Sequence, residues 1–432
     1  MCTDIYQNCM AKMPLMSLRP PQDHLLGFRC LSCGAVHAPD AVAYTCPHDG
    51  GNLDALYDYA RIATAIDPDE LVGSMDRSIW RYAPLLPVGL DRAYAHTPLG
   101  SLGATPLYRA PRIEQHLAIR TIWLKDDSRL PSSSFKDRAS AVVVAQAMAL
   151  GVRTICVAST GNAAGALAAM CAGTHLQAVV FVPEGTPEGK LAGIMIHGAT
   201  VYIVRGSYND AVRLAGAACK RFGWYNRSTG VNPYTREGKK TAGFEIAEQL
   251  GREAQTAFRA PDAVIVPVGD GNIISGVHKG FKELLAIGWI TRMPRFIGVT
   301  AALAPSLFHA WRSGGEAFVA APSATIASGI SVDTPCDGVA ALRAVRESGG
   351  VFIEAGDDEM LAAMATLARD GGVFVEPACA AAYVGLVKAR ATGVISADDE
   401  VVLQLTGSGF KDIKSAVRAV AAPRVISSLD EL

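Results

Sequence analysis

The sequence has no appreciable excess of either charge, no long apolar run and no dense set of cysteines, and each shortage removes a class of protein. Lysines and arginines number 40 against 41 aspartates and glutamates, a formal net charge of −1, so the overall field draws the chain neither to nucleic acid nor to an anionic membrane. No stretch reaches the roughly 18 uninterrupted apolar residues of a membrane span. The first twenty residues, MCTDIYQNCMAKMPLMSLRP, lack the basic start and sustained apolar core of a secretory signal. Ten cysteines are spread from position 2 to position 379, and only Cys30, Cys33 and Cys46 fall close together. That is not the pattern of a disulfide-stapled secreted domain. Repeats and low-complexity tracts are missing too. The expectation is a soluble, reduced, cytoplasmic protein that engages no nucleic acid and no membrane. With 50% hydrophobic and 19% charged residues over 432 positions, it has core enough for two to four domains.

Residues 1–60 differ in texture from the rest. Phe28 to Asp54 reads FRCLSCGAVHAPDAVAYTCPHDGGNLD, short extended pieces punctuated by Cys, Gly and Pro, with too few aliphatics for a core of their own. Residues 61–104 read as a connecting region with helical stretches and several prolines. From 105 to 425, short β-branched runs alternate with long Ala-rich stretches. Thr154–Ala158, Gln177–Val182, Val201–Val204, Ala263–Val266, Phe296–Thr300 and Val401–Leu405 are predicted strands. Ala139–Leu150, Ala163–Ala172, Asn209–Arg221 and Thr241–Leu250 are predicted helices. Strand and helix in alternation predict an α/β body of parallel sheet covered on both faces. So many units exceed one open sheet, which predicts two twisted lobes, the smaller spanning roughly 140–240.

Four strand-end turns carry polar or glycine-rich motifs. The first, LKDDSRLPSSSFKDRAS at 124–140, places Lys136 where a helix begins. Most lysines at helix starts are simply solvated, but the helix dipole there favours anions, so this placement hints at a task. Ser159-Thr160-Gly161-Asn162 follows a predicted strand, in the position where open α/β sheets bind ligands; an ordinary helix cap would also read this way. Val268-Gly269-Asp270-Gly271-Asn272-Ile273 has two glycines that let backbone amides approach an anion ahead of a helix. It is neither a Walker loop nor a dinucleotide fingerprint. The fourth, LTGSGFKD at 405–412, puts Thr406 at a strand terminus. Glu376-Pro377-Ala378-Cys379-Ala380, before another helix, reads in the same ambiguous way.

In this order SFKDR, STGN, VGDGN, EPACAA and TGSGFKD resemble the fold-type II, or tryptophan-synthase-β-like, pyridoxal phosphate enzymes, and most closely their threonine synthase branch. The similarity spans roughly 95–420 and includes Thr105-Pro106-Leu107 and VNPYTREGKKT at 231–241. It implies two α/β lobes with the cofactor between them, pyridoxal 5'-phosphate bound covalently through Lys136, and Asn162 at the cofactor's ring hydroxyl. It also implies Gly269, Asp270, Gly271, Asn272 and Ile273 around the phosphate and Thr406 at the pyridine nitrogen. Ser159 and Thr160 would hold the α-carboxylate of a small amino-acid substrate, with Ser134 and Arg236 also on the substrate side. A hydroxyl rather than a carboxylate opposite the pyridine nitrogen favours elimination or replacement over transamination. The implied assembly is a homodimer or larger.

Threonine synthesis from O-phosphohomoserine is the leading expectation. Two departures leave room for others. Where the branch carries Asn-Ser-Val-Asn-Pro-x-Arg, this chain reads Thr229-Gly230-Val231-Asn232-Pro233-Tyr234-Thr235, with Arg236 one position late. A guanidinium contact depends on direction as well as charge. Cys379 stands where the family has Gly, and packing is its expected role. An amino-acid ammonia-lyase or dehydratase, a β-replacement synthase such as one making cysteate, and a non-catalytic cofactor-bearing scaffold are the alternatives. Cys30-x-x-Cys33 with Cys46 resembles the zinc ribbon that precedes the catalytic domain in threonine synthase relatives. The fourth position would be Asp49 or its neighbour His48, and a metal-free remnant is the alternative.

Overall fold

The computed structural model describes residues 24–428; the expected amino-terminal tail, with Cys2 and Cys9, lies outside them. Chain order is β1 (Leu25–Cys30), β2 (Val36–His37), β3 (Leu53–Tyr57), β4 (Leu107–Arg109), β5 (Thr121–Asp126), β6 (Thr154–Ala158), β7 (Gln177–Pro183), β8 (Thr200–Val204), β9 (Tyr225–Asn226), β10 (Ala263–Pro267), β11 (Arg295–Ala301), β12 (Val351–Ala355) and β13 (Glu400–Leu405). They form three sheets: an antiparallel β2-β1-β3, a six-stranded β12-β11-β10-β13-β5-β4, and a four-stranded β8-β7-β6-β9. The last is parallel throughout, and in the six-stranded sheet only the edge strand β4 runs antiparallel.

The six strands read from sequence are all present, lengthened by at most a residue at either end, and so are the four helices, as Lys136–Ala149, Asn162–Cys171, Tyr208–Phe222 and Thr241–Glu253. Every residue of β10 and β13 is buried, as expected of strands with helices on both faces, whose side chains form a continuous apolar run rather than an alternation. The Tyr208–Phe222 helix starts on a Ser207/Asp210 capping box and stops at Gly223, whose φ of +69° a residue with a side chain rarely adopts. β12 was missed because VFIEA, half-buried at the sheet edge, carries a charge and follows two glycines.

Topology decides where the site lies. The chain moves from β10 outward to β11 and β12, then returns to the other side of β10 as β13, with β5 next. A crevice opens at the carboxyl ends of strands where the order reverses in this way. The loops after β10, β13 and β5 therefore converge, and the turn after β6 of the smaller sheet faces them. The expected two-sheet α/β architecture is the one observed.

The small antiparallel sheet borrows stability from the body. Tyr57 Oη donates to Glu237 Oε2 at 2.6 Å, Lys279 Nζ donates to Asp54 at 2.8 Å and to the Ala55 carbonyl at 2.6 Å, and the Phe28 ring packs tilted against Tyr234. Between this sheet and the body run the helices Tyr59–Ala65 and Pro68–Gly73 and a 3₁₀ segment, Ile79–Leu85. Among the described residues no helix is long and apolar enough to cross a membrane.

Candidate active site

Lys136 is the first residue of its helix, and its position is secured from both sides. Ahead of it, Phe135 N–H donates to the Thr406 carbonyl at 2.9 Å, and Ser134 bridges to Gly407, so the lysine turn is clamped to the loop after β13. Behind it, Arg138 is fully buried and donates to Asp127, Glu245, Thr241 and Thr105. Lys125 joins the same cluster, 2.7 Å from Glu245. Pairing and hydrogen bonds of this kind offset the cost of burying ions. Of the three charged residues of SFKDR, Arg138 anchors the helix and Asp137 accepts from the Ser132 amide and hydroxyl, which leaves Lys136 at the crevice.

The crevice beside Lys136 is lined by Ser134, Asn162, Thr229, Lys239, residues 267–273, Gly329, Ile330, Glu376, Ala378 and Thr406. Asn162 opens the helix after β6, and its amide donates to Glu376 Oε1 at 2.7 Å. A Cβ on Gly269 would stand 2.8 Å from Ile330 Cα, and one on Gly271, at φ +88°, 2.8 Å from the Asp337 carbonyl. The loop therefore packs tightly on one side and, with the start of the fifteen-residue helix Asn272–Ala286, lines the crevice on the other. Burial lowers the Lys136 pKa to about 8; the nearby Arg227 charge adds to this, and Asp270 and Glu376 oppose it. A depressed amine, a glycine-lined anion cradle and a strand-end hydroxyl suit a phosphorylated aldehyde cofactor.

Residues 99–407 match the family model of pyridoxal-phosphate dependent enzymes. The chain belongs to this family. For a pyridoxal-phosphate dependent enzyme the relatives are close over most of their length. A threonine synthase of Methanosarcina acetivorans is 37% identical, across 93% of this chain and 96% of its own. One of Mycobacterium leprae is 39% identical over 78% of this chain and 89% of its own. Among solved structures, the diaminopropionate ammonia lyase of Escherichia coli superposes with a TM-score of 0.63 at 17% identity, covering 78% of this chain and 97% of that one.

Within this pyridoxal-phosphate dependent enzyme, Lys136, Ser134, Asn162, Gly269, Asp270, Gly271, Asn272, Ile273 and Thr406 are brought to one crevice. Ser159 and Thr160 sit half-buried in the turn just ahead of Asn162 and fall outside the lining. Arg236 departs from its expected place on the substrate side. Its guanidinium is buried and bonded to Asp337, to Asp54 at 3.1 Å and to the Leu53 carbonyl, which ties the small sheet to the body. The physical reason is helical direction: one position later than the branch pattern, the side chain leaves the Tyr234–Lys239 helix toward β3. Asp337 then links that tie to the glycine loop after β10, accepting from Asn272 Nδ2 and Ser275 Oγ at 2.7 Å each.

Three residues carry more than their motifs revealed. Glu376 lines the crevice although EPACA read only as a helix start. Lys239, inside the matched VNPYTREGKKT segment, is buried there with its ammonium 2.5 Å from Asn272 Oδ1. Cys379 does more than pack: its sulfur accepts the Thr406 N–H at 3.1 Å, helping to hold the end of β13.

In the small sheet, one ligand atom each from Cys30, Cys33, Cys46 and Asp49 lies within 4.8 Å of the others. His37, His48 and Cys46 form a second such group, with His37 Nε2 3.3 Å from Cys46 Sγ. Three thiols and a carboxylate on two tight turns match tetrahedral zinc; His37 belonged to no recognised ligand spacing, and only the pairing of β1 with β2 brings it near.

Proposed function

We propose that this enzyme is a threonine synthase, converting O-phosphohomoserine and water to threonine and inorganic phosphate. The observation that carries the reading is the 37% identity to a threonine synthase across 93% of the chain, small sheet included, joined to one crevice that holds Lys136, the glycine loop and Thr406. In the net reaction the bond from the γ carbon to the phosphate oxygen breaks. Water supplies the hydroxyl that ends on the β carbon, and protons are exchanged at the α, β and γ carbons.

Pyridoxal phosphate, when bound, supplies an electron sink for carbanion character next to the amino group. The protein's own share is positioning and proton handling. Lys136 holds the cofactor covalently and, when free, takes and returns protons at the substrate carbons. At pH 8 about half of such amines are neutral, against roughly one in three hundred for an ordinary lysine. The amides of residues 269–273 hold the cofactor phosphate, and Thr406 offers a neutral hydroxyl to the ring nitrogen, which favours elimination over transamination. Asn162 would bond the ring hydroxyl, and Ser159 and Thr160, with Ser134, would hold the substrate carboxylate.

The cysteine and acidic ligands of the small sheet hold a structural zinc. The enzyme works in the cytoplasm on a small amino acid as a homo-oligomer; the scatter of its cysteines along the chain, outside the small sheet, supports a reducing compartment. Incubating the holoenzyme with O-phosphohomoserine and measuring phosphate and threonine tests the activity. Ammonia and a keto acid from serine or threonine, with no phosphate from phosphohomoserine, would replace it with a lyase.

A further inference from the structure

We propose that Arg227, acting with Thr229 and Lys239, forms the subsite for the substrate's phosphate group. The proposal rests on the threonine synthase reading and names the residues that would make it work. Arg227 follows β9 and is fully buried. Its Nε donates to Ser140 Oγ at 3.1 Å and its Nη1 to Thr229 Oγ1 at 3.0 Å, both neutral acceptors. Its Nη2 is buried with no hydrogen-bond partner among the described residues.

The contrast with the other buried arginines is the argument. Arg138 is matched by Asp127 and Glu245 and Arg236 by Asp337 and Asp54, whereas Arg227 forms no ion pair among the described residues. A buried cation with an open donor is costly to the fold unless an anion arrives to use it. Burial holds its pKa down to about 10, against the opposing pull of Asp137, Asp270 and Tyr208.

Arg227 stands behind the crevice rather than in its lining, and its bond to Thr229 connects it to that space. Thr229, which Arg227 orients, lines it together with Lys136 and Lys239. Lys239 is itself fully buried, with a neutral acceptor, and burial together with the charges of Lys136 and Arg227 pushes its pKa far down. The cofactor phosphate already has the amides of the glycine loop and a helix start. Arg227, together with a Lys239 amine whose protonation an arriving dianion would favour, is in surplus for that one group and matches a second phosphate monoester, bound where it can leave.

The test uses the holoenzyme and two variants, Arg227→Met and Arg227→Lys, with inorganic phosphate as the probe. Hydrogen bonds to a charged group of this kind correspond to about 10- to 100-fold in binding. We expect Arg227→Met to weaken inorganic phosphate binding, followed by cofactor absorbance or calorimetry, by that factor, and to raise KM for O-phosphohomoserine similarly. Arg227→Lys should recover part of both. Because the guanidinium has no carboxylate partner, Arg227→Met should melt no lower than the parent, which a purely structural arginine would not allow. Unchanged phosphate affinity with a normal KM overturns the proposal and leaves the threonine synthase reading intact. Loss of cofactor affinity with unchanged inorganic phosphate binding overturns it too, assigning Arg227 to the cofactor's phosphate. Phosphate binding that depends on Arg227 in an enzyme that releases nothing from phosphohomoserine upholds the subsite and defeats the activity.

Discussion

Replacing Glu245 with Gln should destabilise the enzyme far more than an isosteric change ordinarily does. The cluster beneath Lys136 holds two cations, Lys125 and Arg138, against two carboxylates, Glu245 and Asp127, all buried. Glu245 accepts from Arg138 Nη1 and Nη2 at 2.8 Å each and from Lys125 Nζ at 2.7 Å. Glu245→Gln keeps the shape and leaves two cations facing one anion. Breaking a buried pair in this manner costs about 3–5 kcal/mol, a large part of the roughly 5–15 kcal/mol that stabilises a folded protein. With a urea slope of about 3 kcal/mol/M, the unfolding midpoint should fall by about 1 M or more.

The double variant Glu245→Gln/Lys125→Met removes the surplus cation and should recover at least half of that loss. Acid gives an independent check. Although burial raises the Glu245 pKa, the charges of Arg138 and Lys125 outweigh it and hold it far below the usual carboxylate range. Stability from a depressed carboxylate is fully present above its unfolded pKa of about 4.3 and is lost as pH falls toward the folded value. The gap between parent and variant should thus be constant from pH 8 to pH 5 and close only in strong acid. Urea titrations followed by tryptophan fluorescence measure both effects. A midpoint shift under about 0.3 M, or a double variant no better than the single, would refute the charge-balance reasoning.

Four further outcomes are expected. Lys136→Ala should abolish covalent cofactor attachment, seen as loss of the cofactor absorbance on gel filtration, and reduce turnover by at least about a thousandfold; near-normal turnover would remove Lys136 from the mechanism. The rate at which the cofactor-free protein captures pyridoxal phosphate should rise with pH through about 8 and level off above it, because burial lowers the Lys136 pKa to that value and the neutral amine is the reactive form; a midpoint near 10.5 would contradict the burial argument. Gly271→Ala forces a side chain into φ +88° and 2.8 Å from a carbonyl, so cofactor affinity should fall about tenfold or more by equilibrium titration. Metal analysis should find about one zinc per chain, and Cys30→Ser should lose it and lower the melting temperature; a zinc-free parent would sink the assignment.

Much of this enzyme is legible without coordinates because its chemistry sits in short contiguous motifs at strand ends. Asn162, the residues 269–273 and Thr406 each follow a β-branched run, and Lys136 opens an Ala- and Val-rich one, whose local preference sets the element boundary. Their order along the chain carries the resemblance. The two-sheet α/β body is legible for the same reason, since alternating strand and helix leaves few ways to bury both faces. Tertiary structure alone decided which cations are matched. Arg236 and Arg227 lie nine positions apart in a single segment, and sequence favours the first for the substrate. Folding turns Arg236 toward Asp337 and Asp54, 101 and 182 positions away, and leaves Arg227 buried with an open donor. The same holds for Asn162 and Glu376, 214 positions apart, and for His37 beside Cys46. Propensity and periodicity act over a few residues, whereas the direction of a buried charged side chain is set by whichever distant partner packing brings within hydrogen-bond reach.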